Sequence, residues 1–353
     1  MSEYIMVTGG AGFIGSNFAA YLLEHYSDVR VLVLDKLTYA GNPANLDMAR
    51  RIGGDRLLFV KGDICDTVFV ESLIREYRIL KVVNFAAESH VDRSIADADD
   101  FIKTNIEGTY SLLKACRKCW NDFGKNENTR FHQISTDEVY GSLSSPDDRH
   151  FTEGQVYLPN SPYASSKASA DLLVRSFNRT YGLNTTVTHG SNTYGYCQHP
   201  EKLIPMTLTR ALNGQEIPIY GSGNQVREWI FVTDHCKAVD YVLRYGKSGE
   251  HYNIDGIPMT NNEMVNGILS MLDSVLESDA GLRARFPDAA VCRGMRSADL
   301  IRHVTDRPGH DICYAVNAEK IERELGFKRV VELEAGLRMT FEWYLGNCLK
   351  SET

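Results

Sequence analysis

The chain has 353 residues, 43% of them hydrophobic and 24% charged, enough apolar side chain for one large domain or two fused lobes. A formal net charge of −8, with basic residues spread along the chain, excludes a general nucleic-acid footprint and leaves anionic ligands to a local pocket of Lys, Arg and backbone N–H groups. No apolar run of roughly 18 residues could span a membrane, and MSEYIMVTGGAGF lacks the basic segment and cleavage site of a secretory signal, so a cytoplasmic protein is expected.

In chain order, Tyr4–Val7 reads as a strand, followed by a glycine loop and a helix over Asn17–Tyr26. Val31–Leu34, Leu57–Val60 and Val82–Phe85 read as further strands, with a helix over Val68–Tyr77 between the last two. Short strands alternating with helices imply βαβ units and a parallel sheet. A long helix over Ile102–Trp120 leads to a strand at Arg130–Ser135, and Ser161-Pro162 opens a helix to Tyr181, where the missing N–H of proline costs nothing. A strand at Asn184–His189 completes an α/β, Rossmann-like doubly wound domain over residues 1–190, expected to bind the cofactor. Over residues 191–353 the rhythm loosens. Pro200, Pro205, Pro218 and a Tyr220–Gly223 turn interrupt it, and helices are predicted near Asn262–Leu276 and Ala318–Leu325. This half is expected to be a smaller substrate-binding lobe, with some segments returning to the Rossmann core. The cysteines are scattered at Cys65, Cys116, Cys119, Cys197, Cys236, Cys292, Cys313 and Cys348. Cys116 and Cys119 have CxxC spacing but lie in a helical stretch with no second pair nearby, so reduced thiols and no metal are expected.

Gly9, Gly12 and Gly15, with Phe13 and Ile14 between the last two, have G-x-x-G-x-x-G spacing directly after a strand and opening a helix. Such glycines allow a tight turn, close backbone approach to a pyrophosphate and close helix–strand packing, with the phosphates at the positive end of the helix dipole. A glycine triplet alone is often only a turn. Here strand, helix and Asp35, about 20 residues on at the end of the second strand, supply the required context. A carboxylate there accepts from ribose hydroxyls and repels the extra phosphate of NADP, so NAD is the expected cofactor. Asp63-Ile64, closing the third strand, is placed beside the adenine.

Tyr163 and Lys167 stand one helical turn apart on a single face. A nearby ammonium, with a positive nicotinamide ring, favours phenolate and brings the Tyr163 pKa down from about 10. Tyr163 is therefore the candidate general base for a sugar hydroxyl.

TGGAGFIG, DKLTYAGN, FAAESHVDRSI, STDEVYG, SPYASSKA, SNTYG, PEKLIP and RHVTDRPGHD together resemble the dTDP-glucose 4,6-dehydratase family, a nucleotide-sugar branch of the extended short-chain dehydrogenase/reductases, over nearly the whole chain. The most specific piece is Thr136-Asp137-Glu138, because relatives that only epimerise or decarboxylate mostly lack the acidic pair. The resemblance implies an NAD-dependent lyase that oxidises C4 of a nucleoside-diphosphate hexose, eliminates water across C5 and C6, and returns hydrogen to C6. Asp137 is then the acid, Glu138 the base, and Thr136 the hydrogen-bond partner of the C4 oxygen. By the same resemblance Lys36, Thr38, Ala86, Ala87, Ser89 and Thr104 join the cofactor site. Ser89, Asn192, Lys202, Leu203, Arg227, Asn261, His310 and the stretch from Pro218 to Tyr220 join the substrate site. Tyr163 and Lys167 serve both catalysis and cofactor. A homodimer through a four-helix interface, made by the helices over Ile102–Trp120 and Pro162–Tyr181, is also implied. Departures from the family pattern, expected around the substrate pocket, are His189-Gly190, Thr193, Tyr196-Cys197, Glu228 and Cys313. They leave open a UDP- or other nucleotide-sugar. A 4-epimerase or decarboxylase on the same fold, or a silent NAD-binding scaffold, are the other readings; Asp137–Glu138 opposes the first and intact Thr136, Tyr163 and Lys167 the second.

Overall fold

Seven parallel strands form the central sheet of the computed structural model, which describes residues 3–124, 128–145 and 147–347. In chain order the elements begin β1 (Glu3–Thr8), α1 (Phe13–His25), β2 (Val29–Asp35), α2 (Asp47–Gly53), β3 (Leu57–Lys61), α3 (Thr67–Glu76) and β4 (Lys81–Asn84). The short helices α4 (Val91–Ala96) and α5 (Asp99–Phe101) follow, then a π-helical stretch Ile102–Gly108 running into α6 (Thr109–Asp122). β5 (Arg130–Thr136), α7 (Pro162–Tyr181) and β6 (Thr185–Gly190) end the first half. The sheet order is β10-β6-β5-β4-β1-β2-β3, where β10 is His251–Ile254, and every neighbouring pair is parallel. The winding reverses between β1 and β4, the place where an open α/β sheet leaves a crevice for a ligand.

The helices are held by what they bury. Phe18, Leu22 and Leu23 of α1 are at most 1% exposed, and each contributes about 1.5–3 kcal/mol by leaving water, as an upper value. On the other face, α6 lays Leu112, Leu113, Cys116, Cys119 and Trp120 against Val70, Leu73 and Ile74 of α3. The CxxC pair is therefore core packing, and Cys119 Sγ donates to Glu71 O at 3.7 Å. Seven cysteines are free thiols; Cys348 lies outside the described residues. The long helix expected over Ile102–Trp120 is interrupted by its π-helical start, where Gly108 packs so closely that a Cβ would come within 2.5 Å of Ile64. In α7, Ser161 accepts from Ala164 N at 3.0 Å, Pro162 starts the first turn and Gly182 closes the helix at φ +68°.

The second half holds β7 (Asn192–Tyr194), α8 (Leu203–Leu212), β8 (Ile217–Tyr220), β9 (Val226–Phe231) and α9 (Val232–Tyr245). After β10 come β11 (Ile257–Thr260), α10 (Asn261–Ser278), α11 (Ala280–Arg285), β12 (Ile301–Val304), α12 (Glu319–Leu325) and α13 (Leu333–Asn347). α9 packs on α1 and β6 and carries the chain back to β10 at the sheet edge. That return falls in the stretch where the sequence shows no strand rhythm, because β10 is four residues long and carries polar His251 and Asn253. The small sheets β11-β9-β7 and β12-β8 stand outside the main one. Among the described residues no helix is long and apolar enough to cross a membrane.

Candidate active site

A cavity of about 590 Å³ opens at the carboxyl ends of β1, β2, β4, β5 and β6. Gly9 turns the chain out of β1 at φ +65°, and a Cβ there would lie 2.6 Å from Ala86 N. A Cβ at Gly15 would lie 2.5 Å from Gly9 O. No side chain caps α1, whose N-cap is Gly12, so its first N–H groups are open to an anion. Asp35, 8% exposed, accepts from Ala11 N at 2.9 Å and Leu37 N at 2.7 Å. Burial raises its pKa and those two N–H groups pull it back. Lys36 pairs with Asp63 at 2.7 Å, and Phe13, Ile14, Thr38, Ile64, Ala86, Ala87, Ser89 and Thr104 complete this end of the cavity. A turn that admits no side chain, an uncapped helix end and a fixed carboxylate fit NAD. Gly9 to Gly15 would hold the diphosphate and Asp35 the adenosine ribose.

β5 ends in Thr136, and the next four residues tighten into a 3-10 turn, Asp137–Tyr140. The Thr136 hydroxyl accepts from Glu138 N at 3.3 Å and donates to Asp137 Oδ1 at 3.2 Å. Asp137 is 2% exposed, and its Oδ2 is buried without a hydrogen-bond partner among the described residues. Burial, then the charge of Glu138, pushes the Asp137 carboxyl up to about 7, against the pull of Arg227. Glu138 is only half-buried; burial raises its pKa, while Arg227 and Arg307 favour its charged form. The two neighbours thus differ in the way an acid and a base must.

Tyr163 and Lys167 line the same cavity, but the ammonium does not bring the phenol pKa down as expected. Lys167 Nζ donates to Ile134 O at 2.6 Å, and burial lowers its pKa to about 8. Burial, then the charges of Glu138 and Asp137, holds the Tyr163 phenol well above its ordinary value, with the Thr136 hydroxyl working the other way. The physical reason is first the burial of the phenol and then the charge of the two carboxyls. With NAD held here, the positive nicotinamide ring would favour the phenolate, as would a neutral Asp137.

Opposite stand the cations. Arg227 on β9 is buried, stacks 4.2 Å over the Tyr314 ring and donates to Val226 O at 2.7 Å and Asp311 O at 2.9 Å. Lys202, just before α8, donates to Ser89 O at 3.2 Å. Tyr220 at the end of β8 donates to Asp92 Oδ2 at 3.3 Å, and Arg307 pairs with Asp92 Oδ1 at 3.2 Å. His310 Nδ1 lies 2.6 Å from Asp306 Oδ1. Asn192, Leu203, Pro218 and Asn261 line the remaining wall, so every site residue named from sequence borders one cavity. Unnamed as individual site residues but also there are Tyr39, Glu88, Asp92, Arg307, Asp311 and Tyr314. Arg307 was legible in the DRPGH motif, whereas Asp92, in the first turn of α4, reads only as a residue favouring the helix start. Of the departures, Gly190, Thr193 and Cys197 line the cavity, but His189, Tyr196, Glu228 and Cys313 do not. They lie behind it, Glu228 accepting from Val316 N at 3.1 Å with its carboxyl pushed up to about 8 by burial.

The family model described as GDP-mannose 4,6 dehydratase matches residues 6–340. The dTDP-glucose 4,6-dehydratase of Salmonella typhimurium is 45% identical over 353 residues, covering 97% of this chain and 93% of that protein. That of Neisseria meningitidis is 47% identical over 347 residues, covering 97% and 93%. Among solved structures, DesIV, a dTDP-glucose 4,6-dehydratase from Streptomyces venezuelae with NAD and TYD bound, superposes with a TM-score of 0.83 at 43% identity, covering 98% of this chain and 97% of that one. A UDP-glucose 4-epimerase from Thermotoga maritima superposes at 0.80 but is 28% identical, covering 98% and 99%.

Proposed function

Since the chain belongs to the dTDP-glucose 4,6-dehydratase family, we propose that it converts dTDP-glucose to the 4-keto-6-deoxy sugar in this cavity. The observation that carries this reading is the pair at the end of β5, where Asp137 keeps its proton to about pH 7 beside a more open Glu138. Bound NAD supplies the acceptor for the C4 hydrogen and the donor that returns it to C6. Tyr163 takes the C4 hydroxyl proton, with Thr136 hydrogen-bonded to the C4 oxygen. The ketone acidifies C5–H, which Glu138 removes while Asp137 protonates the departing C6 hydroxyl. Glu138 gives its proton back to C5. One turnover therefore leaves Tyr163 with a proton gained and Asp137 with a proton lost. Thr136, hydrogen-bonded to both, stands where that proton passes to reset the site. Arg227, Lys202 and Arg307 suit the diphosphate, and Tyr220, Pro218 and Asn261 the nucleoside. Residues 1–190 then serve mainly the cofactor and residues 191–353 mainly the nucleotide sugar.

The 4-epimerase reading shares everything except a use for Asp137 and Glu138, since epimerisation at C4 needs no acid–base pair at C5 and C6. Incubation with dTDP-glucose and, separately, UDP-glucose tests the conclusion. The expected outcome is the alkali-induced absorbance of a 4-keto product with dTDP-glucose. Epimerised sugar with no such absorbance would replace this reading with the epimerase.

A cytoplasmic homodimer is part of the same proposal. Free thiols at every described cysteine support a reducing compartment. Tyr110 of α6 (45% exposed), with Leu172 (53%) and Tyr181 (49%) of α7, supports a four-helix interface, as these are large apolar groups left in water on adjacent helices.

A further inference from the structure

Lys167 is 5% exposed and Asp171, one turn on along α7, is fully buried. The ammonium has one hydrogen bond to a neutral carbonyl, Ile134 O, which alone does not compensate a buried charge. Asp171 does not border the cavity. It is fixed instead from β5, where Ser135 donates to its Oδ2 at 2.6 Å; His189 Nε2 on β6 lies 3.2 Å from the same oxygen. Its Oδ1 is buried and has no hydrogen-bond partner among the described residues.

The imidazole of His189 is itself held in one orientation. Asn253 Nδ2 donates to Phe151 O at 3.0 Å, so Asn253 Oδ1 takes the Tyr140 hydroxyl proton at 2.9 Å. That hydroxyl then accepts from His189 Nδ1–H at 3.1 Å, which leaves Nε2 an acceptor. Tyr157 OH bridges His189 Nε2 at 3.0 Å and His251 Nδ1 at 3.1 Å.

We propose that Asp171, held by Ser135, is a positioning residue that keeps Lys167 charged at the edge of the cavity. The inference deepens the dehydratase reading and rests on it for the use made of Lys167. Burial draws the ammonium toward deprotonation and the Asp171 charge opposes that. The other titratable groups around this stretch act elsewhere. Tyr163, Asp137 and Glu138 face the cavity, His189 and His251 lie beyond Asp171, Arg175 is a turn further on α7, and Lys114 and Arg117 of α6 are exposed.

The test follows the Lys167 side chain by NMR in full-length protein carrying ¹³C-labelled lysine, its signal assigned by its loss in Lys167→Met. In Asp171→Asn the ionisation is expected to move down by about one pH unit or more, a tenfold loss of ammonium at a given pH, while Asp171→Glu restores it. With dTDP-glucose, the same loss appears as a lower kcat on the alkaline side with KM unchanged. An unmoved Lys167 ionisation in folded Asp171→Asn overturns the proposal. Should that variant not fold, thermal unfolding of Lys167→Met and of the double variant Lys167→Met/Asp171→Asn decides. The neutral pair is expected to be the more stable, because the single variant strands a buried carboxylate; the opposite order overturns the proposal. The NMR readout needs no turnover, so an unmutated chain inactive on dTDP-glucose refutes the dehydratase reading without touching this one.

Discussion

At the scale of single residues the site works by unequal environments. Asp137 and Glu138 are neighbours of similar intrinsic acidity, yet one is sealed against Thr136 and the other opens toward Arg227 and Arg307. Replacing them by Asn and Gln keeps size and hydrogen bonding but removes proton chemistry. Both variants are expected to oxidise C4 and stop there, so reduced-nicotinamide absorbance builds up on mixing with dTDP-glucose. Tyr163→Phe is expected to show none, because the C4 hydroxyl keeps its proton, with losses of ~10² to 10⁴ in turnover in each case. Wild-type product formation by both carboxyl variants would remove the pair from the mechanism. The raised Asp137 also costs stability. Below the ordinary carboxylate range, folded and unfolded chains both hold the proton. As pH rises toward 7 the unfolded chain releases it and the folded chain does not, so the folded state falls behind until the Asp137 value of about 7 is passed. Asp137→Asn is therefore expected to raise Tm near pH 8 and to leave it almost unchanged near pH 4. A Tm gain that is the same at both pH values would rule out this account.

At the scale of elements, strand ends and helix starts bring the chemistry together. β5 delivers Thr136, and α7 delivers Tyr163 and Lys167 from a first turn fixed by the Ser161 cap and Pro162. The turn between β1 and α1 depends on Gly9, both for its φ of +65° and for the space taken by Ala86 N. Gly54, at φ +52° with nothing near its Cβ position, offers a control. Gly9→Ala is expected to lower both Tm and NAD affinity, the latter tenfold or more, because the loop must shift where the diphosphate lies. Gly54→Ala is expected to lower Tm alone. Equal NAD affinity of the two variants by calorimetric titration would contradict the assignment of this loop.

At the scale of the whole molecule, the cavity is built from both halves of the chain, and the Arg307–Asp92 pair and the Lys202–Ser89 bond cross between them. The exposed Tyr110, Leu172 and Tyr181 of α6 and α7 do not border that cavity. Sedimentation at micromolar concentration is expected to show twice the 39.7 kDa chain mass. Tyr110→Glu together with Leu172→Glu should return it to one chain mass. A single-chain species for the unmutated protein would remove the four-helix interface.

What the sequence determined by itself was everything carried by local pattern. The βαβ rhythm, the glycine loop, Asp35, the α7 cap and the order of motifs depend on residues close in the chain, whose spacing reads directly as turns, faces and dipoles. Tertiary structure alone decided the remainder. β10 joins the main sheet through long-range pairing with β6, invisible in four residues that carry two polar side chains. The phenol of Tyr163 is raised first by burial and then by the carboxyls of the turn after β5, because charge acts through space and not along the chain. Asp171 and Ser135, distant in sequence, come into contact only once α7 lies across β5, where a buried carboxylate must find a donor.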